Sequence, residues 1–193
     1  MGSFILLINF IMPPSLLGKN CLNPRRRVYL SSEPEEQTKK SLSNENLKER
    51  IIEFLESTNM CVLATCSDNV PRATPIEYHS EGLTIFFVGE PGTKLSNIAK
   101  NPKVSIGVFL PYEGWDSAKG AQITGQAQII PRSNLPEFKR GLKAYKWERA
   151  AKEIGLKEFP KTVELVRVEP KKIEFVDMSL KKIGFSARQV LDL

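Results

Sequence analysis

Short segments of strand character follow one another closely after residue 60, and this succession constrains the fold more than any other feature of the sequence. They are rich in β-branched and aromatic residues and cover residues 60–65, 72–78, 83–88, 104–110 and 121–130. Polar turns, Ser67-Asp68-Asn69 and Ser80-Glu81-Gly82, separate the first three, so we predict antiparallel hairpins between consecutive strands. Two later strands, 162–168 and 172–176, are predicted to meet at Glu169-Pro170.

Three helical patterns accompany these strands. Apolar residues at helical spacing follow Ser43-Asn44, a suitable N-cap pair, and predict a helix over residues 44–58. A short helix is predicted to begin with Thr93 as its N-cap and to end at Asn101-Pro102, and a longer one to extend from Ser133 to Ile154. Several antiparallel strands closed by a few outer helices describe a β-barrel, in which every strand edge is paired or covered.

The chain has 193 residues, enough for one well-buried domain and a tail. Residues 1–43 lack periodicity after an initial apolar run, so we predict a flexible N-terminal extension over 1–43 and one domain over 44–193. The extension carries six Lys or Arg against three Glu, which is half of the net charge of +6. The domain itself is therefore only mildly basic, which suits a phosphorylated small molecule and argues against a nucleic-acid partner.

Three further observations narrow the class of protein. The apolar run 4–12 falls well short of the roughly twenty residues that a membrane-spanning helix needs, so we expect no membrane span. Cys21, Cys61 and Cys66 form neither an even disulfide set nor a C-x-x-C pair, which favours free thiols in a reducing compartment and a cytoplasmic location. The single histidine, His79, excludes a multi-histidine metal site, and we expect no bound metal.

Two elements point to an anion site. A loop that contains Gly89 and Gly92 leads from a strand into a helix that starts Thr93-Lys94, where unpaired N–H groups, a hydroxyl and an ammonium would converge. Arg72 offers a planar donor fork on a strand whose prolines indicate an open edge. Each element also has a plainer interpretation: the helix start is a simple cap with a solvated lysine, and the arginine a surface charge.

Taken together, these elements resemble a known family. The order is strand, turn, a second strand opened by an arginine, an aromatic third strand, a loop with lysine, and a helix that ends Asn101-Pro102-Lys103-Val104. It is similar to the pyridoxamine 5'-phosphate oxidase-like superfamily, over about residues 45–130 and more loosely over 166–173. The resemblance implies a mainly β fold, namely a six- to seven-stranded antiparallel split β-barrel with flanking helices (α+β).

The resemblance also implies a function. The expected protein is a homodimer that binds FMN in grooves between its subunits and acts as an oxidoreductase on a small molecule not identified by the sequence, with unknown catalytic residues. Arg72 and Lys94 would bind the 5'-phosphate with help from Thr93. The backbone of residues 73–75 would lie beside the flavin ring. The full set of expected cofactor contacts is Arg72, Ala73, Thr74, Pro75, Phe87, Val88, Gly89, Thr93, Lys94 and, from the second subunit, Gln122.

Alternatives stay open at this point. Related split barrels bind a deazaflavin or haem, and a non-catalytic sensor module would need the same anion site. Gln122 and its neighbour Gln126 fit an outward polar face equally well. His79, next to the Ser80-Glu81-Gly82 turn, is predicted to be a solvated hairpin residue rather than a substrate contact. Glu77 occupies a position where true pyridoxamine phosphate oxidases carry a basic residue.

Overall fold

The computed structural model of the chain describes residues 40–193. The helices are α1 (Asn44–Glu56), α2 (Thr93–Lys100), α3 (Leu135–Ala144) and α4 (Trp147–Ile154). The strands are β1 (Met60–Ser67), β2 (Val70–Glu77), β3 (His79–Glu81), β4 (Thr84–Gly89), β5 (Lys103–Phe109), β6 (Lys119–Ile129), β7 (Glu164–Asp177) and β8 (Arg188–Asp192). Two short 3₁₀ segments, Trp115–Ser117 and Met178–Ile183, complete the set.

Most of the predicted N-terminal extension lies outside the described residues, but its last part does not. Lys40 forms an isolated parallel bridge with Phe185, whose neighbour Ser186 donates its N–H to the Lys40 carbonyl. The N–H of Leu42 donates to the side chain of Gln189 at 3.2 Å. The segment before α1 is therefore held against the carboxyl-terminal end of the chain.

All strands belong to one antiparallel sheet in the order β2-β1-β5-β6-β7-β4-β3, with β8 beside β7. The two end strands, β2 and β3, are consecutive in the chain and separated only by Tyr78. The sheet therefore curls into a barrel whose two end strands are linked through Tyr78. The prediction of a mainly β split barrel with flanking helices is confirmed, and β8 is a strand that the sequence pattern did not indicate.

The hairpin between β1 and β2 forms as predicted. Asp68 and Asn69 adopt the left-handed backbone conformation, with φ of 52° and 59°, in a two-residue turn between the paired Ser67 and Val70. Asparagine and aspartate tolerate this conformation better than most residues, and such turns match the twist of the strands. The sequence Ser-Asp-Asn therefore sets the register of the first hairpin.

The second predicted hairpin forms only at its tip, where His79–Glu81 pairs with the start of β4. Tyr78 is the cause: its side chain is fully buried, its hydroxyl donates to the Leu55 carbonyl at 2.9 Å, and its N–H donates to the Asn59 carbonyl. These contacts fix the chain at Tyr78, where its strand partner changes. Before Tyr78, β2 pairs with β1; after it, most of β4 pairs with β7.

Three boundaries differ from the prediction. The late strands 162–168 and 172–176 are one strand, β7, because a register shift at Thr124/Gly125 accommodates Pro170 without breaking the pairing with β6. The helical region 133–154 divides into α3 and α4, because Lys146 adopts a left-handed conformation with φ of 59°. The N-cap of α2 is Gly92 rather than Thr93, which is the first helical residue.

The core has two parts. The larger part fills the barrel, where alternate residues of the strands face inward together with the apolar face of α1; fully buried members include Leu63, Phe87, Ile106, Ile123 and Phe175. The smaller part lies between the outer face of the sheet and α3, and contains Phe86, Ile130, Phe138, Tyr145 and Leu165. Tyr145 is a packing residue of this smaller part, since it is only 4% exposed.

None of the helices within residues 40–193 combines the length and the apolar character that crossing a bilayer requires.

Candidate cofactor site

The barrel is incomplete between β2 and β4. Over residues 40–193, β2 has a strand partner on one edge only, and the end of β4 after Phe86 likewise pairs only with β7. The two strands still contact one another, and they meet fully only through Tyr78 and β3. A wedge-shaped opening, called the split below, therefore separates the free edge of β2 from the end of β4.

Prolines indicate which backbone groups of β2 face the split. Pro71 and Pro75 lie at the same parity along the strand and pair with Cys66 and Val62 of β1. A proline nitrogen cannot donate, so it lies on the unpaired side of a strand. By parity, Ala73 turns both its N–H and its carbonyl toward the split, and Pro75 turns its carbonyl there. A planar heterocycle with donors and acceptors on one edge could bind these groups.

Arg72 lies at the start of β2, directly opposite Thr65 of β1, and its side chain is exposed. Opposed residues of an antiparallel pair point to the same face of the sheet. Because Thr65 is buried, Arg72 belongs to the inner face together with Thr74 and Ile76. Its guanidinium makes no ion pair within the part of the chain that the structure describes.

Hydrogen bonds attach helix α2 to β1 at Thr65, the residue opposite Arg72. The Asn97 amide donates to the Thr65 hydroxyl at 3.1 Å, and the Ser67 hydroxyl donates to the Asn97 side-chain oxygen at 2.8 Å. Asn97 is only 5% exposed, so this network replaces hydration that the amide has lost. Lys94 precedes Asn97 by three residues, on the same side of the helix. Thr65 therefore lies opposite Arg72 in the sheet and is hydrogen-bonded to α2, the helix that carries Lys94.

Lys94 itself folds back over the end of β4. A β-carbon at Gly89 would meet Lys94 Cε at 2.6 Å and Nζ at 3.1 Å, so the ammonium lies against the glycine backbone. The Lys94 side chain is half-buried and makes no ion pair with residues 40–193. The N-cap Gly92 provides no side-chain hydrogen bond, so the first N–H groups of α2 are uncapped beside this ammonium.

One buried polar atom in the split lacks a partner. The hydroxyl oxygen of Thr74, on the inner face between Arg72 and Ile76, is buried and forms no hydrogen bond with any described residue. A buried hydroxyl without a partner costs about 1–3 kcal/mol, and native proteins rarely keep one unless a ligand or water satisfies it. This orphan atom lies beside the backbone groups of Ala73 and Pro75.

Some of the predicted cofactor contacts do not place their side chains at the split. Phe87 is fully buried in the barrel core, which leaves only its backbone available, and Val88 packs with the smaller core under α3. Gln122 is exposed on the outer face of β6, where it pairs with Gly107 and Glu174. Within one chain, β1 and β5 separate Gln122 from Arg72, so a contact with the same ligand requires a second subunit.

The prediction that His79 is solvated is wrong. Its side chain is 11% exposed, and its ring packs edge-on against Tyr145 with centroids 5.4 Å apart. Burial, with the charge of Lys146 adding to it, lowers the pKa of His79 below its ordinary value. Burial, together with the nearby Glu77 carboxylate, raises the pKa of Tyr145 to about 12. The sequence around His79 indicates only a turn. Tyr145, at the end of α3, lies more than sixty residues later in the chain, so local sequence could not predict the contact.

Sequence reasoning also missed Asn97 and Thr65. One signal was present: Asn97 lies between Leu95 and Ile98 on the apolar side of α2, where a polar residue needs a buried partner. The identity of that partner could not be predicted from spacing, because it lies on a strand 32 residues earlier in the chain.

Solved structures share the fold at low sequence identity. A conserved hypothetical protein of Mycobacterium tuberculosis is 21% identical with a TM-score of 0.57, over 72% of this chain and 88% of that one. A FAD-binding protein of Mesorhizobium loti is 19% identical with a TM-score of 0.52, over 63% and 87%. A haem-binding protein of Mycobacterium smegmatis is 18% identical with a TM-score of 0.56, over 79% and 59%.

Sequence comparison defines the family. An uncharacterized protein of Rhizobium meliloti is 34% identical over 71 residues, a match that spans 36% of this chain and 45% of that protein. The sequence model of the pyridoxamine 5'-phosphate oxidase family matches residues 47–177, which include the whole split, α2 and the strands that hold them. Since that match covers well over half of the chain, the protein belongs to the pyridoxamine 5'-phosphate oxidase family.

Proposed function

We propose that this protein is an FMN-binding flavoprotein that acts as an oxidoreductase, with the flavin phosphate held between Arg72 and Lys94. The observation that supports the proposal is the way both cations are connected to α2. Arg72 lies opposite Thr65, which accepts a hydrogen bond from Asn97 of α2, and Lys94 lies against Gly89 beside the uncapped start of the same helix. Neither cation forms an ion pair among residues 40–193. Charge-assisted hydrogen bonds from such groups are the strongest that a phosphate accepts.

The remaining groups of the split fit a flavin. The orphan Thr74 hydroxyl and the outward backbone groups of Ala73 and Pro75 supply hydrogen bonds along a planar ring. Gly89, which has no β-carbon, lets Lys94 lie close to the strand, and Thr93 adds a hydroxyl at the helix start. The bound flavin would supply the electron transfer, while these residues bind and orient it.

The proposal includes a homodimer. The outer face of β1, β2 and β5 presents small or apolar residues that solvent reaches: Val62, Ala64, Ala73, Pro75 and Gly107. Phe109, next to this face, is 62% exposed. A second copy packed there would cover this surface and bring Gln122 of the partner subunit toward the split. This arrangement would let Gln122, which pairs with Gly107 at the edge of this face, contact a ligand bound in the split of the other subunit.

A cytoplasmic location agrees with the cysteines that the structure describes. Cys61 and Cys66 are both free thiols. Burial raises the pKa of Cys61 to about 12, so its reactive thiolate is scarce at neutral pH.

The experiment is to purify the full chain, record its visible absorption spectrum and identify the released ligand by mass. The two-banded spectrum of oxidised flavin with the mass of FMN would support the proposal. An intense Soret band, a deazaflavin mass or a colourless protein that takes up no FMN would contradict it. Turnover of an artificial electron acceptor with reduced nicotinamide would then distinguish an oxidoreductase from a sensor.

A double variant locates the phosphate. Arg72→Ala with Lys94→Ala should lose FMN during gel filtration while keeping its circular dichroism spectrum, because one phosphate loses both cationic partners. Lys100→Ala is the matched control, since this lysine of the same helix is exposed and pairs only with the exposed Asp68. Full retention of FMN in the double variant would place the phosphate elsewhere.

A further inference from the structure

Glu77, the last residue of β2, has a carboxylate that lies near side chains from the segment before β1, from β3 and from the end of α3. The Asn59 amide donates to its Oε1 at 3.3 Å, and His79 Nε2 lies 3.9 Å from the same oxygen. The ring of Tyr145, at the end of α3, packs edge-on against His79 with centroids 5.4 Å apart, and after the larger effect of burial the Glu77 carboxylate helps to raise the pKa of its phenol. We call Glu77, His79 and Tyr145 the acidic corner.

The acidic corner lies at the opposite end of the split from the phosphate ligands. Glu77 shares the parity of Ala73 and Pro75, so it continues the same edge and the same outer face of β2. It lies five positions after Arg72, which corresponds to about 17 Å of extended strand. An extended FMN has a comparable length. With the phosphate at Arg72, a flavin extended along this edge would bring its ring near Glu77.

The carboxylate retains capacity for a ligand. A carboxylate offers about four acceptor positions, and the three protein groups occupy at most three. The Glu77 side chain is 46% exposed, so a ligand can reach it. His79, whose pKa is lowered, carries no charge at neutral pH, and the raised pKa of Tyr145 keeps the phenol protonated. The acidic corner thus carries a single negative charge.

The cations nearest the acidic corner do not pair directly with Glu77, although the Glu77 charge helps to raise the pKa of Arg149 after the larger effect of Glu153. Lys146 and Arg149, from the junction of α3 and α4, act on His79 from a distance. Arg149 is engaged with Glu153 at 2.9 Å, and neither cation forms an ion pair with Glu77 in the region described, 40–193. A basic residue at this position would attract an anionic substrate, whereas Glu77 repels one.

We propose that Glu77 determines substrate specificity: the site accepts molecules that present a cation or a strong hydrogen-bond donor beside the flavin ring, such as amines or amidines, and rejects carboxylates and phosphates. This inference rests on the proposed flavin site, because the ring supplies the surface on which such a molecule stacks. Asn59 is a positioning residue, since its amide donates to the carboxylate at 3.3 Å.

Two planar probes of the same shape and opposite charge test the proposal. Benzamidine and benzoate are titrated separately into the FMN-loaded protein at neutral pH, and binding is followed by the perturbation of the flavin absorption spectrum. We expect benzamidine to bind about tenfold more tightly than benzoate. Glu77→Gln keeps the shape of the side chain and removes its charge, so the preference should fall to about twofold or less, with FMN retention unchanged.

Glu81→Gln is the matched control. Glu81 is exposed on the neighbouring β3, but it pairs with Arg140 of α3 at 2.8 Å, so its loss should leave both affinities unchanged. Equal binding of the two probes, no binding of either, or an undiminished preference in Glu77→Gln would overturn the inference while the flavin spectrum still supports the proposed function. A protein that binds no flavin would overturn the proposed function and this inference together.

Discussion

The side chain of Lys94 lies so close to Gly89 that a β-carbon on the glycine would meet Cε at 2.6 Å. Real β-carbons do not approach other atoms this closely, so Gly89→Ala must displace the lysine. If Lys94 binds the flavin phosphate, the displacement should weaken FMN binding by about tenfold, the equivalent of about 1.4 kcal/mol. Equilibrium dialysis or quenching of flavin fluorescence measures the change.

A double-mutant cycle shows whether the glycine acts through the lysine. Gly89→Ala should cost little in a Lys94→Ala background, because the atom that the β-carbon displaces is no longer there. Additive losses in the double variant would mean that Gly89 contacts the ligand directly, and that its closeness to Lys94 is incidental.

Two threonines on the same inner face offer a second comparison. Thr65 accepts a hydrogen bond from Asn97, whereas the buried hydroxyl of Thr74 has no partner among residues 40–193. Thr65→Val leaves the Asn97 amide unsatisfied and should lower the free energy of unfolding by about 1–3 kcal/mol. Thr74→Val should leave the stability of the cofactor-free protein unchanged or raise it.

For FMN binding, in contrast to stability, we expect Thr74→Val to be the harmful substitution. With FMN bound, Thr74→Val should lose affinity, because its hydroxyl then has a hydrogen-bond partner to lose. Urea unfolding of the cofactor-free variants and FMN titration of the same samples measure both effects. A large loss of stability in cofactor-free Thr74→Val would show that a protein group already satisfies this hydroxyl, which would remove one argument for the flavin.

Local patterns predicted the parts of the fold that depend on neighbours in sequence. The turn at Asp68-Asn69 sets the first hairpin, and the loop before Thr93-Lys94 places two potential phosphate contacts at a helix start. Both signals are contained within a few residues, where backbone conformation and side-chain chemistry act together. The prediction of a β-barrel therefore survived, although several element boundaries changed.

Contacts between distant segments could not be predicted in this way. Asn97 joins α2 to β1, and Tyr78 redirects the chain from β1 to β4. Burial and partner choice at these positions depend on which strands meet across the barrel, and no local pattern contains that information. The same limit explains His79, whose environment is set by Tyr145 from α3.

Acid should weaken the attachment of α1 to the barrel. Asp177 is only 2% exposed and accepts a hydrogen bond from Arg50 Nε at 2.9 Å, with Lys119 Nζ at 3.4 Å. Burial by itself would raise the pKa of this carboxyl, but hydrogen bonds from Ser179 and Arg50 and the charge of Lys119 lower it overall.

The sign of the pH effect follows from that lowered pKa. Ionised Asp177 favours the folded state, so its contribution is complete above the ordinary aspartate value of about 4 and is lost as the pH falls through the lower folded value. Asp177→Asn should cost about 3 kcal/mol near pH 7, because it leaves Arg50 and Lys119 without their partner. Its stability should also vary less with pH between about 5 and 2. Equal pH profiles for wild type and variant would show that other carboxylates dominate.

The proposed dimer makes a last prediction that links assembly to cofactor binding. Ala64 is exposed on β1, opposite Ala73 of β2 and Ser105 of β5. It lies at the centre of the outer face of β1, β2 and β5 that the second copy is proposed to cover. Ala64→Arg should convert a dimer to a monomer, as light scattering would show, because one charged side chain cannot be buried there without a partner. FMN affinity should fall with it, since a monomer lacks the second subunit's side of the groove. Ile154→Arg is the control, because Ile154 is 63% exposed at the end of α4, which is not part of this face. A monomeric Ala64→Arg variant that retains FMN fully would place the whole flavin site within one chain.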